Sequence, residues 1–498
     1  MADALEQLNA RLADYIGIDA IAGLLAWDQR TIMPPAGNAH RGAHLGLLER
    51  LAHEKITDPE VGRLLDELEP RLDSLDPDSW EAASIRVARR DYQKAVQVPA
   101  QLRGEMAEAA VASMPVWIEA KSTSNFGIFL PLLERNVELR RRYVECFPQR
   151  DEPYDILLDD FEPEMRTAEV TRIFDEIKPE LVQLIADLRD REIDDSFLTG
   201  DFPIDEQVAL DHEVVDLFGH RPGSWRIDPT EHPFASGPGI DDIRITTHYY
   251  PDHLKSLFST MHEYGHGLYS HQQPPEYAHL PVGQHCSLGI HESQSRLWEN
   301  LVGRSLPFWR FFYPRLQQRF PDRFRNVELE RFHAAINKAQ PSFIRIEADE
   351  VTYGMHVILR FELEQDIVNG RVELADLPER WAAKMHDYLG VDVPDHARGV
   401  LQDMHWAAGL IGYFSTYLLG TVMSVQIWEK ADEELGGLEA QIERGEFEPL
   451  REWLGEKIHS QGSKYVPQEL LRHATGSTID AKPYLAYLAR KFGAPVAA

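Results

Sequence analysis

Pro251-Asp252-His253-Leu254-Lys255-Ser256-Leu257-Phe258-Ser259-Thr260-Met261-His262-Glu263-Tyr264-Gly265-His266 is the stretch on which the reading of this chain turns. Leu254, Leu257, Phe258 and Met261 recur at helical spacing, and Pro251-Asp252 supplies a start signal, so the segment predicts an amphipathic helix. Its end has the form H-E-x-x-H. Two His four residues apart stand one above the other on a helix, where both imidazoles reach one metal ion, with Glu263 beside the open position as general base. The apolar stripe adjoins the His positions on the helical wheel, so that face points inward, and a buried pair of His requires a partner. A metal supplies one. The arrangement is suited to splitting an amide with metal-activated water.

A pentad of this kind needs a third ligand. The extension H-E-x-x-H-x-x-G-x-x-H is excluded, because Tyr269 and Gln272 occupy the positions that need Gly and His. The remaining common solution is a Glu on a following helix. Leu288-Gly289-Ile290-His291-Glu292-Ser293-Gln294-Ser295-Arg296-Leu297-Trp298-Glu299-Asn300-Leu301 reads as that helix, with Glu292 as the ligand. Glu299 falls on nearly the same face two turns on and reads as a supporting or surface carboxylate. His271, His279, His285 and His291 crowd the region and read mainly as loop or packing residues. Residues 225–250 are rich in β-formers, Gly and Pro, which predicts a short hairpin or small sheet just before the metal helix. The rest is amphipathic helix with short polar breaks.

Five further motifs stand in order along the chain. They are Trp27-Asp28-Gln29-Arg30-Thr31-Ile32-Met33-Pro34-Pro35, Asp242-Ile243-Arg244-Ile245-Thr246, His291-Glu292-Ser293-Gln294, Ile344-Arg345-Ile346-Glu347-Ala348-Asp349 and Gly399-Val400-Leu401-Gln402-Asp403-Met404-His405-Trp406. With the pentad they give the chain a resemblance, nearly end to end, to the thermostable carboxypeptidase 1 (carboxypeptidase Taq) family of HEXXH zinc metallocarboxypeptidases. The resemblance implies a mainly α fold: a large helical two-lobed metallopeptidase with a long active-site groove and a small β-sheet beside the zinc helix. It also implies His262, His266 and Glu292 as metal ligands, zinc as the metal and a homodimer. Cobalt is the alternative metal, since a His/His/Glu site accepts both.

Within that frame Glu263 is the catalytic base. His405 and Tyr417 are the candidate donors to a developing oxyanion, with Tyr413 as an alternative lining the substrate site. On one ideal helix Tyr413 and Tyr417 point away from His405, so convergence needs a break, for which Gly409 and Gly412 offer places. A carboxypeptidase also needs a cation for the substrate's terminal carboxylate, a task suited to the two-point fork of Arg. Arg345 is assigned that role, with Arg244 as a wall that limits chain length. An ion pair is the competing use of each: Glu347 or Asp349 with Arg345, Asp242 with Arg244. Asp349 or Glu350 is a candidate to support a metal-bound His.

The reading is therefore a metal-dependent carboxypeptidase. The alternatives are an endo-oligopeptidase or dipeptidase of related helical architecture and a non-catalytic peptide-binding protein. An intact Glu263 argues against the last. The net charge of −31, from 51 basic and 82 acidic side chains, opposes nucleic acid and anionic membranes as partners. Two cysteines exclude a disulfide scaffold and fit a cytoplasmic protein. The acidic start of the chain lacks the basic and apolar regions of a secretory signal. Met404–Trp428 carries no Asp, Glu, Lys or Arg, but its polar residues and glycines favour a buried helix over a membrane span. No linker or repeat divides the sequence. One peptidase domain over 1–498 is expected, with N-terminal helices in 1–225, a catalytic core in 226–430 and C-terminal helices in 431–498.

Overall fold

The computed structural model describes residues 3–493. Helices dominate, and the chain folds as two compact units. The first comprises the segments up to Val96, Asp194–Ile336 and Ile427–Thr478. The second comprises Gln97–Ile193, Asn337–Gln426 and the segment from Ile479 onward.

In the first unit the helix Ala4–Arg30 opens on a capping box between Asp3 and Glu6, which satisfies donors that the first turn leaves unpaired. It ends before the Pro34-Pro35 break. Its Leu8 and Leu12 pack with Val61, Leu64, Leu65, Leu68 and Ile85 into one core. The same unit holds the predicted small sheet, made of β1 (Trp225–Pro229), β2 (Ala235–Gly239) and β3 (Asp242–Thr247). The central strand, β3, pairs antiparallel with β2 and parallel with β1. The β2–β3 pair is the hairpin the sequence suggests. The parallel partner is a tertiary pairing that local pattern does not encode.

The metal helix spans Lys255–His271. It starts later than Pro251-Asp252 suggests, because those two carbonyls are taken by the chain from 200 to 202: Phe202 N donates to Pro251 O and Gly200 N to Asp252 O, each at 2.9 Å. The next helix, Leu288–Arg296, is capped by Ser287 Oγ, which accepts from Ile290 N at 3.0 Å. It runs on into a π-helical turn, Leu297–Val302.

Two glycines set how these elements meet. A Cβ on Gly265 would lie 2.4 Å from Gln294 O and 2.6 Å from Ser295 Cα, both backbone atoms of the second helix. One on Gly267 would strike the Trp225 ring at 2.6 Å and Ile243 Cγ2 at 2.9 Å. The bare backbone thus lets the second helix and the sheet press on the metal helix at contact distance.

In the second unit the buried helix Tyr353–Val368 packs Phe361 edge-on against Tyr154 and Phe174. The uncharged stretch beginning at Met404 is helical only from Ser415, in the helix Ser415–Leu435. Turns precede it, with Gly409 at φ +70° and Gly412 at φ +100°. Both values favour glycine, and a Cβ at Gly412 would also meet Leu157 O at 2.7 Å. Among the described residues no helix is long and apolar enough to cross a membrane.

Candidate metal centre

Helical geometry stacks His262 and His266, and the close approach at Gly265 brings the following helix up beside them. Their ring centroids are 4.9 Å apart. Glu292 Oε2 stands 3.7 Å from His262 Nε2 and 3.5 Å from His266 Nε2. One donor atom from each of the three lies within 4.8 Å of the others. Ligand atoms of a tetrahedral zinc are roughly 3.3 Å apart, so two imidazole nitrogens and a carboxylate oxygen at these spacings fit a divalent ion with little movement. Glu292 is buried, and burial works against its charge, but Arg296 and the two His hold it ionised, down at about 2. It is thus the charged form that faces the two rings.

Glu263 follows His262 on the same helix. It is 6% exposed, and its Oε2 accepts no hydrogen bond, so a buried acceptor is left open next to the donor set. Burial raises its pKa, partly offset by the two neighbouring His.

The partner of His262 Nδ1 is Glu299, at 2.9 Å. Such a carboxylate fixes the ring so that Nε2 points toward the ion. Glu299 in turn accepts from Arg296 and Arg304, which hold it ionised despite burial. Asp349 and Glu350 are used elsewhere. Asp349 caps the chain at Val351 and Thr352, while Glu350 pairs with Lys491 at 2.6 Å and accepts from Tyr487.

Two of the crowded His are packing residues, of which His291 lies against His266. The His291 ring stacks on His266 at 4.4 Å between centroids, and His285 meets His291 at 4.2 Å. Burial keeps both neutral, lowering His285 to about 3 and His291 well below the ordinary range.

Arg30 is a neighbour that sequence reasoning passed over. Its guanidinium lies 4.3 Å from the Phe234 ring centroid, close enough to Glu263 for that carboxylate's charge to act on it. The signal was Arg30's place inside the first family motif. Arg296 was also passed over, although Glu292 and Arg296 are spaced i, i+4, the spacing of a helical ion pair.

Arg244 is held by Asp242 in a two-point pair, Nε to Oδ1 at 2.8 Å and Nη2 to Oδ2 at 2.9 Å. Parallel pairing sets Arg226 opposite it, and Arg226 forks onto Asp228 in the same way. Both guanidiniums approach the Trp27 ring, at 4.2 and 4.8 Å, so Arg244 belongs to a rigid cation–π cluster.

The remaining sequence-chosen residues gather in the second unit. The break at Gly409 and Gly412 turns the chain so that His405 Nε2 meets Tyr417 Oη at 3.2 Å, with the Tyr413 ring 5.2 Å from His405. Burial lowers His405 to about 3, so its ring is neutral near pH 7. Arg345 is 5% exposed. Its Nε and Nη2 donate to Asp403 Oδ1 at 3.1 and 2.9 Å, and Nη1 donates to Tyr353 Oη at 3.0 Å. Burial opposes its charge, yet Asp403 keeps Arg345 firmly protonated. Arg360 lies on the other carboxylate oxygen, with Nε 2.7 Å from Asp403 Oδ2. The ion-pair partner of Arg345 is therefore Asp403, not Glu347 or Asp349.

Residues 7–492 match the family described as Carboxypeptidase Taq (M32) metallopeptidase. The chain is similar to thermostable carboxypeptidase 1 of Thermus thermophilus, 42% identical over 95% of each chain. It is 35% identical to carboxypeptidase 1 of Bacillus subtilis, over 97% of this chain and 96% of that one. Among solved structures, the M32 carboxypeptidase from Deinococcus radiodurans R1 superposes with a TM-score of 0.94 at 36% identity, covering 98% of this chain and 99% of that chain.

Proposed function

This chain belongs to the carboxypeptidase Taq (M32) metallopeptidase family and is a metal-dependent carboxypeptidase, and from that premise we propose how its own residues carry the reaction. The observation that carries the proposal is the open acceptor Oε2 of Glu263 beside the donor set His262, His266 and Glu292. Those three residues hold the metal, for which zinc suits the donors best and cobalt is the alternative. The bound ion supplies Lewis acidity, which acidifies water and polarises a carbonyl oxygen. Glu263 takes the proton of the attacking water at Oε2 and passes it to the amine nitrogen that leaves with the C-terminal amino acid. Burial suits Glu263 to both steps, because raising its pKa brings a carboxylate closer to the range in which it both accepts and returns a proton.

Glu299 holds the His262 ring. The donor role of His405 and Tyr417, and the carboxylate-anchor role of Arg345 with Tyr413 lining the substrate site, rest on the family motifs that carry them. Their clustering within the second unit supports those roles: His405 and Tyr417 already touch, and the Arg345 guanidinium lies 4.7 Å from the Tyr417 ring centroid. Arg244 serves as a wall, a role its rigid seat on Asp242 and Trp27 supports.

The substrates are peptides, shortened by one residue at a time. A homodimer is proposed on the resemblance. A cytoplasmic setting is supported by the two free cysteines, Cys146 and Cys286.

The decisive experiment compares a short N-blocked peptide with its C-terminally amidated form, after chelation and after metal add-back. Release of a single C-terminal amino acid from the free-acid peptide alone, lost on chelation and restored by zinc or cobalt, is the expected result. Equal cleavage of both forms, or cleavage at an internal bond, refutes it.

A further inference from the structure

The metal helix supplies two ligands, but the third sits in a web of charge that the H-E-x-x-H pattern does not mention. Glu292, Arg296 and Glu299 follow one another at i, i+4 and i+7, so they share a face, and the face continues across the join into the π-helical turn. π-Helical turns are rare and frequent at functional sites.

Arg296 touches both carboxylates. Its Nε donates to Glu292 Oε1 at 2.7 Å, and its Nη1 donates to Glu299 Oε2 at 3.2 Å. The contacts are complementary in detail. Glu292 turns Oε2, the oxygen Arg296 does not take, toward the two imidazoles. Glu299 gives the oxygen that Arg296 does touch to His262 Nδ1. Arg304 closes the far side, donating to Glu299 Oε1 at 3.3 Å. The centre of the web is largely buried: the side chains of Glu292, Arg296 and Glu299 are 7, 14 and 13% exposed.

We propose that Arg296 is a positioning residue of the metal centre, restricting Glu292 to one ligand oxygen and locking that carboxylate to the one that orients His262. The proposal rests on the assignment of His262, His266 and Glu292 as the ligands. A free carboxylate binds a cation through one oxygen or two, so without such a restraint the number of ligand atoms is not fixed. The guanidinium fork fixes it, because two nitrogens in one plane reach two acceptors at once. A lysine ammonium carries the same charge but cannot hold both carboxylates in register. A pure charge-balancing role and a positioning role therefore differ in what R296K does.

The test uses cobalt(II) in the full chain, since its visible absorption is intense in four-coordinate sites and weak in higher-coordinate ones. Wild type, Arg296→Lys, Arg296→Met and Leu316→Ala are stripped of metal, loaded with cobalt, and titrated against a chromophoric chelator. Leu316 is fully buried in the same unit and belongs to none of these contacts, so L316A controls for lost stability. Wild type and L316A are expected to share one intense spectrum. Both Arg296 variants are expected to absorb more weakly, as the second oxygen of Glu292 enters. In R296K cobalt affinity is expected to fall about ten- to a hundredfold, the usual effect of losing a group that orients a ligand. A wild-type spectrum and affinity in R296K overturn the proposal. The same holds if R296M binds cobalt more tightly with an unchanged spectrum, the mark of charge balance alone. If R296M does not fold, R296K still decides. If wild-type protein fails to bind one cobalt per chain, or His262→Ala binds it equally well, the ligand assignment itself falls, an outcome distinct from the failure of Arg296.

Discussion

Glu263 is the proposed general base, and at the residue scale it gives that proposal its sharpest test. Its carboxylate is buried, one oxygen accepts no hydrogen bond, and no metal ligand has to change for it to be replaced. E263Q keeps the shape and removes the base. We expect kcat to fall about 10²- to 10⁴-fold, with metal stoichiometry by elemental analysis unchanged. Loss of the metal along with activity would show that Glu263 supports the site and does not act in the reaction. In the second unit Asp403 faces two buried guanidiniums, Arg345 and Arg360. D403N leaves both cations without a counter-charge. That should lower the stability of the second unit by about 3–5 kcal/mol in urea unfolding, the usual result of breaking one side of a buried ion pair. A change under 1 kcal/mol would mean that water already screens the cluster.

At the scale of elements, the metal centre depends on how closely two helices and a sheet approach. Gly265 lies between His262 and His266, the two proposed ligands, and the place of its missing side chain is filled by the backbone at Gln294 and Ser295. Backbone cannot move aside as a flexible side chain can. In G265A the Leu288–Arg296 helix must shift outward and carry Glu292 away from the imidazoles. Overpacking of this kind costs about 1–3 kcal/mol. The sharper effect is on the metal: we expect zinc affinity in a competition assay to drop at least tenfold. G104A is the control, since nothing lies within 4 Å of a Cβ there. Wild-type zinc affinity in G265A would show that the helix contact adjusts without disturbing the ligands.

At the scale of the whole molecule, the pH dependence of stability reports on buried carboxylates with opposite tendencies. Glu364 is fully buried, and burial pushes it up to about 7, although Tyr154, Trp406 and the Gly412 amide all donate to it. Its folded pKa lies above the unfolded value, so the protonated acid is favoured in the folded state. That contribution is fully present below about pH 4.5 and is lost as pH rises toward about 7; a shift of this size corresponds to on the order of 3 kcal/mol. Asp403 is depressed and acts in the other direction, its contribution fading only in strong acid. The prediction is that thermal stability of the metal-free protein between pH 5 and pH 7 falls less steeply in E364Q than in wild type. Parallel profiles would show that Glu364 titrates normally in the folded chain.

The sequence alone determined the helical class, the small sheet and the membership in a metallopeptidase family, and it named His262, His266 and Glu292 as the candidate donors, which the structure brings together, and Glu263 as the candidate base. Each rests on local periodicity or a short ordered motif: two His at i, i+4 lie on one helical face whatever surrounds them, and a run of β-formers between helices makes strands. The sequence offered Gly409 and Gly412 as places for the break that convergence of His405 and Tyr417 requires, and the structure turns there, with both glycines at positive φ. Tertiary structure decided what depends on partners distant in sequence. The parallel pairing of β1 with β3 sets Arg226 beside Arg244 against Trp27. Asp403, rather than an acid in the same motif, neutralises Arg345. Glu299, rather than Asp349 or Glu350, takes His262 Nδ1. The physical reason is common to the pairs of Arg345 and His262. A buried charge takes the counter-charge that packing brings within hydrogen-bond reach, and short-range pattern names the charge without naming its partner.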